Sequence, residues 1–238
     1  MRSTLLVATI VLAAVSAAAQ PATVTYRGKP LSAYTSAVKA ADPADRAAAL
    51  RAIGQFGADG ESAVPLLVAA LSDQNTGVRQ AAGESLALFR FASAPAVSAL
   101  AGLLSDPDPR TRVIVALALR EIGAASKPAL PQLIAALKDQ DLVVRMTVGL
   151  AIGALGIDAK PAIRALMDAG NDRPDDWVSV PLRDMRRAMV WALGEIGPDA
   201  KEALPLVREW SKFYRVAWVS TPAIAKMEGK PSPPTWRR

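Results

Sequence analysis

Apolar and polar residues follow helical spacing along nearly the whole chain, in two forms that alternate. The first form is dense. In Ala63-Val64-Pro65-Leu66-Leu67-Val68-Ala69-Ala70-Leu71, apolar residues fill positions i, i+3, i+4 and i+7 and leave almost no polar face, which predicts a helix covered by its neighbours. The second form begins after an Asp-containing turn, as in Arg112 to Ile122, and ends on glycine at Gly57, Gly123, Gly156 and Gly197. Glycine at that position suits a left-handed helix C-cap. Pro65, Pro131 and Pro205 fall early in first-form segments, where a missing N–H costs little because those donors have no intrahelical acceptor. Period-2 strand patterns are nearly absent, so the predicted fold class is all-α.

The two forms recur as one unit. Arg46, Arg79, Arg112 and Arg145 are spaced by 33 residues, and so are Asp73, Asp106, Asp139 and Asp172, and Ala63, Ala96, Ala129 and Ala162. The next members, Arg186 and Ala203, follow after 41, which places an eight-residue insertion between the fourth and fifth units, near 173–182. A helix pair of this length cannot bury both of its apolar faces alone, so the pairs are expected to stack into an α-solenoid, a superhelix of about five pairs. The predicted organisation has a lead-in and the first helix of unit one at 20–41 and the solenoid at 42–209. A C-terminal capping helix region follows at 210–228, where Trp210, Phe213, Tyr214 and Trp218 interleave with Lys212 and Arg215, and a flexible Pro-rich tail at 229–238.

The pairs Asp73/Arg79, Asp106/Arg112 and Asp139/Arg145, the Ala-Leu-Pro triplets at 129–131 and 203–205, and the closing Ile-Gly or Leu-Gly resemble HEAT repeats, in particular the short kind also seen in phycobilisome-lyase-like proteins. The resemblance covers about residues 42–210. It departs from the pattern at Phe89-Arg90, where unit two lacks the closing glycine, and at Ala162-Ile163-Arg164, where unit four lacks the proline. It implies a scaffold or adaptor, with only occasional enzymatic relatives. The Asp and Arg columns are expected to form a ladder of charge-assisted hydrogen bonds joining adjacent units, as the resemblance also implies. It further implies that the second helices line the concave surface.

Within each second helix, offsets +3, +6, +7 and +10 from the Arg column are almost always apolar, as in Val115, Ala118, Leu119 and Ile122, and define the packed face. Offsets +1, +5 and +9 vary between units: Ala47, Arg51 and Gln55; Gln80, Glu84 and Leu88; Val113, Leu117 and Glu121; Met146, Leu150 and Ala154; Arg187, Trp191 and Glu195. These are expected to face the open groove. Charge in the first two units gives way to an apolar stripe of Val113, Leu117, Met146, Leu150 and Trp191, edged by Arg187, Glu121 and Glu195, that would hold a protein or peptide segment. Trp177, in the insertion, is expected to rim it. The competing arrangement has the insertion or the C-terminal segment folded over the stripe.

Composition narrows the chemistry. The chain has no His and no Cys, which excludes Ser-His-Asp and Cys-His nucleophile systems, thiolate chemistry and most zinc, copper and haem ligation. Asp172, Asp175, Asp176 and Asp184 match no calcium-loop spacing, so no metal, cofactor or catalytic residue is expected. The net charge of +6 is scattered rather than concentrated in a patch, so nucleic acid is not an expected partner. Residues 1–19 read as a secretory signal peptide: Arg2, an aliphatic run from Leu5 to Val15, and Ala17-Ala18-Ala19 as cleavage site. The uncharged run of about fifteen residues is short of the ~20 a spanning helix needs, so membrane attachment would require an uncleaved signal. The expectation is an exported (periplasmic or secreted), non-catalytic, monomeric adaptor for a protein partner. A structural envelope component that binds anionic polymers and a lyase-type or cofactor-loading enzyme are the alternatives.

Overall fold

The computed structural model describes residues 24–172, 180–212 and 214–231. A two-stranded antiparallel hairpin, β1 (Thr25–Tyr26) and β2 (Lys29–Pro30), leads into stacked helix pairs. First helices α1 (Leu31–Ala37), α3 (Val64–Ala70), α5 (Val97–Gly102), α7 (Leu130–Ala136), α9 (Ile163–Gly170) and α11 (Leu204–Ser211) alternate with second helices α2 (Pro43–Gly54), α4 (Thr76–Phe89), α6 (Pro109–Ile122), α8 (Leu142–Gly153), α10 (Val180–Ile196) and α12 (Tyr214–Met227). From the second pair onward a 3-10 turn such as Gly123–Ala129 precedes each first helix. The architecture is the all-α solenoid that the periodicity predicts, with six pairs among the described residues where about five are expected; the capping region at 210–228 supplies the second helix, α12, of the sixth. The hairpin is an addition to that reading. Its turn holds Arg27 at φ 49° and Gly28 at φ 73°, a conformation that Arg does not advertise in a sequence.

Second helices stack directly on one another from α2 through α12, whereas first helices reach their like neighbours mainly through the intervening 3-10 turns. The more closely packed row lies on the inside of the bend, so the second helices line the inner face. Small residues permit the approach: a Cβ on Gly149 would lie 2.6 Å from Met189 Cε, and one on Gly194 2.7 Å from Ala223 Cβ. Leu50, Leu86, Leu119, Ile152 and Leu193 have no exposure and carry one continuous core from pair to pair. The run Thr76–Ser105 is long and apolar enough to cross a membrane by length and composition, which the sequence reading did not anticipate. Here it is broken at Arg90 into α4, a 3-10 turn and α5, all packed in the solenoid.

An arginine closes each of the first four junctions. Arg46 donates Nε and Nη2 to the two carboxylate oxygens of Asp73, both at 3.0 Å, and Arg112 does the same to Asp139 at 2.6 and 2.8 Å. Arg79 reaches Asp106 through Nε, and Arg145 reaches Asp172 through Nη1, each at 2.8 Å. The acceptor carboxylate belongs to the following pair, 27 residues on. At Arg79 and Arg112 the Asp six residues before is held instead through its main chain: Arg79 donates Nη1 to the Asp73 carbonyl at 3.0 Å and Arg112 to that of Asp106 at 2.9 Å. Two residues past the ladder Asp a second polar column, Asn75, Asp108 and Asp141, accepts amides of the first turn and caps α4, α6 and α8. After the insertion Arg186, with no exposure, still donates Nη2 to the Asp172 carbonyl at 3.4 Å, now 14 residues back. The own-turn carbonyl bond is thus kept across the eight extra residues.

The hydrogen bonds from Arg46 hold the Asp73 carboxyl below its ordinary range, against the opposing pull of desolvation. At Asp139 burial pushes the carboxyl upward, but the bonds from Arg112 and the Asp141 amide outweigh it and the net shift is downward. With the folded values depressed, the unfolded chain takes up protons first. The stabilisation is therefore present above the unfolded carboxylate value of about 3.9 and is lost as pH falls below it. Asp139→Asn, which leaves the Arg112 guanidinium without its counter-charge, is expected to cost about 3 kcal/mol and lower Tm by roughly 6–12 °C at neutral pH. In thermal melts followed by circular dichroism the variant should also lose part of the native decline in Tm between about pH 5 and pH 3; an unchanged Tm at neutral pH would show that the clamp is dispensable.

The residues closing α4 and α6, Arg90 and Gly123, have φ 51° with ψ −125° and φ 70° with ψ −136°. This is the mirror of the extended region, not the left-handed helical region that the glycines suggest, so the expected C-cap geometry is corrected. A non-glycine residue there stores about 1–3 kcal/mol of strain. The Arg90 side chain is 73% exposed and its one ion contact among the described residues, to Glu121, is 4.0 Å long. Arg90→Gly is accordingly expected to stabilise by about 1 kcal/mol after the extra chain entropy of glycine, a rise of roughly 2–4 °C in Tm.

Candidate partner-binding groove

The groove positions on the inner helices are open at offsets +5 and +9 and only partly so at +1. Arg51, Leu88 and Leu117 are exposed; Glu84, Val113, Glu121, Met146, Leu150, Arg187, Trp191 and Glu195 are half-buried. Ala47 and Gln80, at offset +1, are buried, which corrects the expectation that this column faces solvent. Gln80 turns instead toward the next inner helix and donates Nε2 to Thr111 Oγ1 at 3.2 Å and to Asp108 Oδ1 at 3.3 Å. Through the first three pairs the open face is crossed by ion pairs: Arg51 to Glu84 at 2.8 Å, Arg110 to Glu84 at 3.9 Å and Arg90 to Glu121 at 4.0 Å. Such exposed pairs contribute at most about 1 kcal/mol each and leave the surface polar.

Toward the C-terminus the face deepens into a cleft of about 890 Å³. Met146 and Leu150 of α8, Arg187, Ala188 and Trp191 of α10, and Trp218, Pro222 and Ala223 of α12 line it. The structure thus brings together four predicted residues, Met146, Leu150, Arg187 and Trp191. Val113 and Leu117 lie on the inner helix row outside the cleft lining, with Leu117 36% exposed. Trp177 lies outside the described residues. The ladder residues Asp73, Arg79, Asp106, Arg112, Asp139 and Arg145 are engaged at the junctions and none of them lines this cleft.

Sequence reasoning missed the α12 wall. Trp218, 63% exposed, forms a side of the cleft, although its segment reads as an end cap. The available signal was the Ala203 column, which announces a sixth helix pair. Helix α12 therefore forms a wall of the groove. Trp191 is held against α8: a Cβ on Gly153 would lie 2.3 Å from Trp191 Cζ3. The Arg187 guanidinium stands 5.5 Å from the centre of the Trp218 ring and donates Nη1 to Asp184 at 2.8 Å, while Lys226 donates to Glu195 at 2.6 Å. Two indoles, a thioether and an aliphatic side chain are thus framed by paired charges, an arrangement suited to an apolar side chain with polar flanks. Among the described residues no group of three acidic side chains is placed to hold a metal ion; Asp184 is taken by Arg183 and Arg187, and Asp175 and Asp176 lie outside them.

Helix pairs stacked at a constant period, with the second helices forming an open inner face, define an α-solenoid scaffold suited to protein binding. The family model for HEAT repeats matches residues 31–120 and 97–180, and the chain belongs to the HEAT-repeat family. Comparison with curated proteins gives no match. Among solved structures, a designed armadillo repeat protein in complex with the peptide (KR)4 is similar with a TM-score of 0.64 at 18% identity, over 82% of this chain and 100% of that one. Importin beta is similar with a TM-score of 0.62 at 17% identity, over 84% of this chain and 31% of its own. The complex of CpcE and CpcF of phycocyanin lyase from Nostoc sp. PCC7120 gives a TM-score of 0.57 at 21% identity, over 88% of this chain and 80% of that one. At these identities the likeness concerns the fold alone.

Because Gly153 and Trp191 are in contact, Gly153→Ala is expected to push the indole out of place and destabilise the chain by about 1–3 kcal/mol. Near-ultraviolet circular dichroism and the urea midpoint check this; unchanged values for both would mean that Trp191 is free to move and does not depend on the α8 surface.

Proposed function

We propose that this protein is an exported, non-catalytic scaffold that acts as a monomer and holds a segment of a partner protein in its inner groove, with the cleft between α8, α10 and α12 as the anchor point. The observation that carries the reading is the cleft itself: the exposed Trp218 and the half-buried Trp191 stand beside Met146 and Leu150 within a charged border. An exposed apolar patch rimmed by polar groups is the usual mark of a partner site, and Trp and Arg are its commonest anchors. The designed armadillo repeat protein of similar fold carries a peptide, (KR)4, in its complex. The N-terminal pattern of Arg2, the aliphatic run and Ala17-Ala18-Ala19 supports export. The lack of His and Cys supports a role without catalysis.

The test is affinity capture from envelope extract with residues 20–238, beside a Leu117→Asp, Trp218→Asp variant matched for helicity. These positions are exposed, whereas Trp191 packs on Gly153 and its loss would confound recognition with stability. A partner retained by the native chain is expected to bind the variant roughly 30-fold more weakly, the effect of a ~2 kcal/mol hot spot. Equal retention by both forms would move the site off the groove.

A further inference from the structure

We infer that the cleft selects an extended partner segment in which an acidic side chain lies about four to six residues from an apolar anchor, the carboxylate meeting Arg120 and the anchor entering beside Trp191 and Trp218. This rests on the groove reading above and specifies the chemistry of its occupant.

The charges of the cleft carry the inference. Five ionisable side chains line it: Arg120, Asp184, Arg187, Glu195 and Lys226. Asp184 accepts from both Arg187, at 2.8 Å, and Arg183, at 3.3 Å, and Glu195 accepts from Lys226 at 2.6 Å. Arg120 alone of the five has no carboxylate partner among the described residues; its neighbour Glu121 is directed to Arg90. It lies in the last turn of α6 and is half-buried, so part of the water that would screen its charge is replaced by protein. A carboxylate arriving there gains a charge-assisted hydrogen bond and no competing acid has to be displaced. A segment rich in Lys or Arg would instead meet an uncompensated positive charge.

Spacing fixes the length of the segment. Arg120 is on α6 and Trp191 on α10, two inner helices further along. At interaxial distances of ~8–10 Å this is roughly 18 Å, and the reach of the arginine side chain shortens the gap. An extended chain advances about 3.3 Å per residue, so about four to six residues cover it. The apolar end meets a floor of small residues, Ala188 and Ala223, between the Trp191 and Trp218 rings, which leaves room for a branched or aromatic side chain.

The experiment uses fluorescein-labelled, end-capped peptides of about ten residues with a Leu-Phe pair and one Asp separated by a Gly/Ser spacer. Companion probes carry Asn for the Asp, Lys for the Asp, or Ser-Ser for the apolar pair. Anisotropy titrations are run with residues 20–238, native and Arg120→Gln, after light scattering has established the oligomeric state. The native chain is expected to bind the Asp probe about tenfold more tightly than the Asn probe, with the Lys probe weaker still and the Ser-Ser probe weakest. Arg120→Gln is expected to erase the Asp/Asn ratio while leaving Asn-probe affinity and melting behaviour unchanged. Binding of the apolar pair with no preference for Asp, or a preference that survives Arg120→Gln, overturns this inference and leaves the groove reading intact. Failure of every probe, or a native dimer whose dissociation is needed before any probe binds, also overturns it; the groove reading is then decided separately by capture with the Leu117, Trp218 variant.

Discussion

At four successive junctions between helix pairs a guanidinium reaches the carboxylate of the next pair, and Arg46, Arg79 and Arg112 hold carbonyls of their own turn at the same time. Apolar burial supplies more energy, at about 1.5–3 kcal/mol for each fully covered Leu or Ile, but it is non-directional and rewards many stacking registers alike. The clamp is directional. A two-pronged bond between planar groups is satisfied at one offset and one rotation between neighbours. The bond is two-pronged at Arg46 and Arg112 and single at Arg79 and Arg145, and its recurrence at one interval favours the same step from pair to pair, turning a set of sticky helix hairpins into a regular superhelix. At the fifth pair Arg186 keeps the own-turn part of the arrangement, a bond to the Asp172 carbonyl, across the insertion.

The groove follows from that regularity. With the junctions fixed on one edge, the second helices close upon one another and the face they share becomes the inner surface. Its N-terminal half is crossed by ion pairs between successive helices and presents a polar strip. Its C-terminal half lacks such crossings at Met146 and Leu150 and gains a far wall when α12 packs on α10, close enough at Gly194 for Ala223 to exclude a Cβ. A graded surface results, polar at one end and apolar at the other, on a rigid support.

The period, the helix pairs and the ladder residues were legible in the sequence because each recurs at a fixed interval, so errors in one unit are corrected by the others. Features that occur once were not. The hairpin turns on a positive φ at Arg27, for which the residue type gives no warning. Gln80 reads as a solvent-facing polar residue until the next helix supplies Thr111 and Asp108 as its partners. The carboxylate acceptor of each arginine could not be told from spacing alone, since both the Asp six residues before and the one 27 after satisfy the period; stacking decides between them. Trp218 carries no repeat signature, and its place in the cleft depends on how α12 continues the inner row.

Hydrogen exchange of the whole chain with and without its captured partner bears most directly on the inner helix row as the recognition face. Added protection confined to α6, α8, α10 and α12, with the first helices α3, α5, α7 and α9 unchanged, is the expected result. Protection centred on the first helices or on the 3-10 turns would contradict it and place recognition on the opposite side of the solenoid.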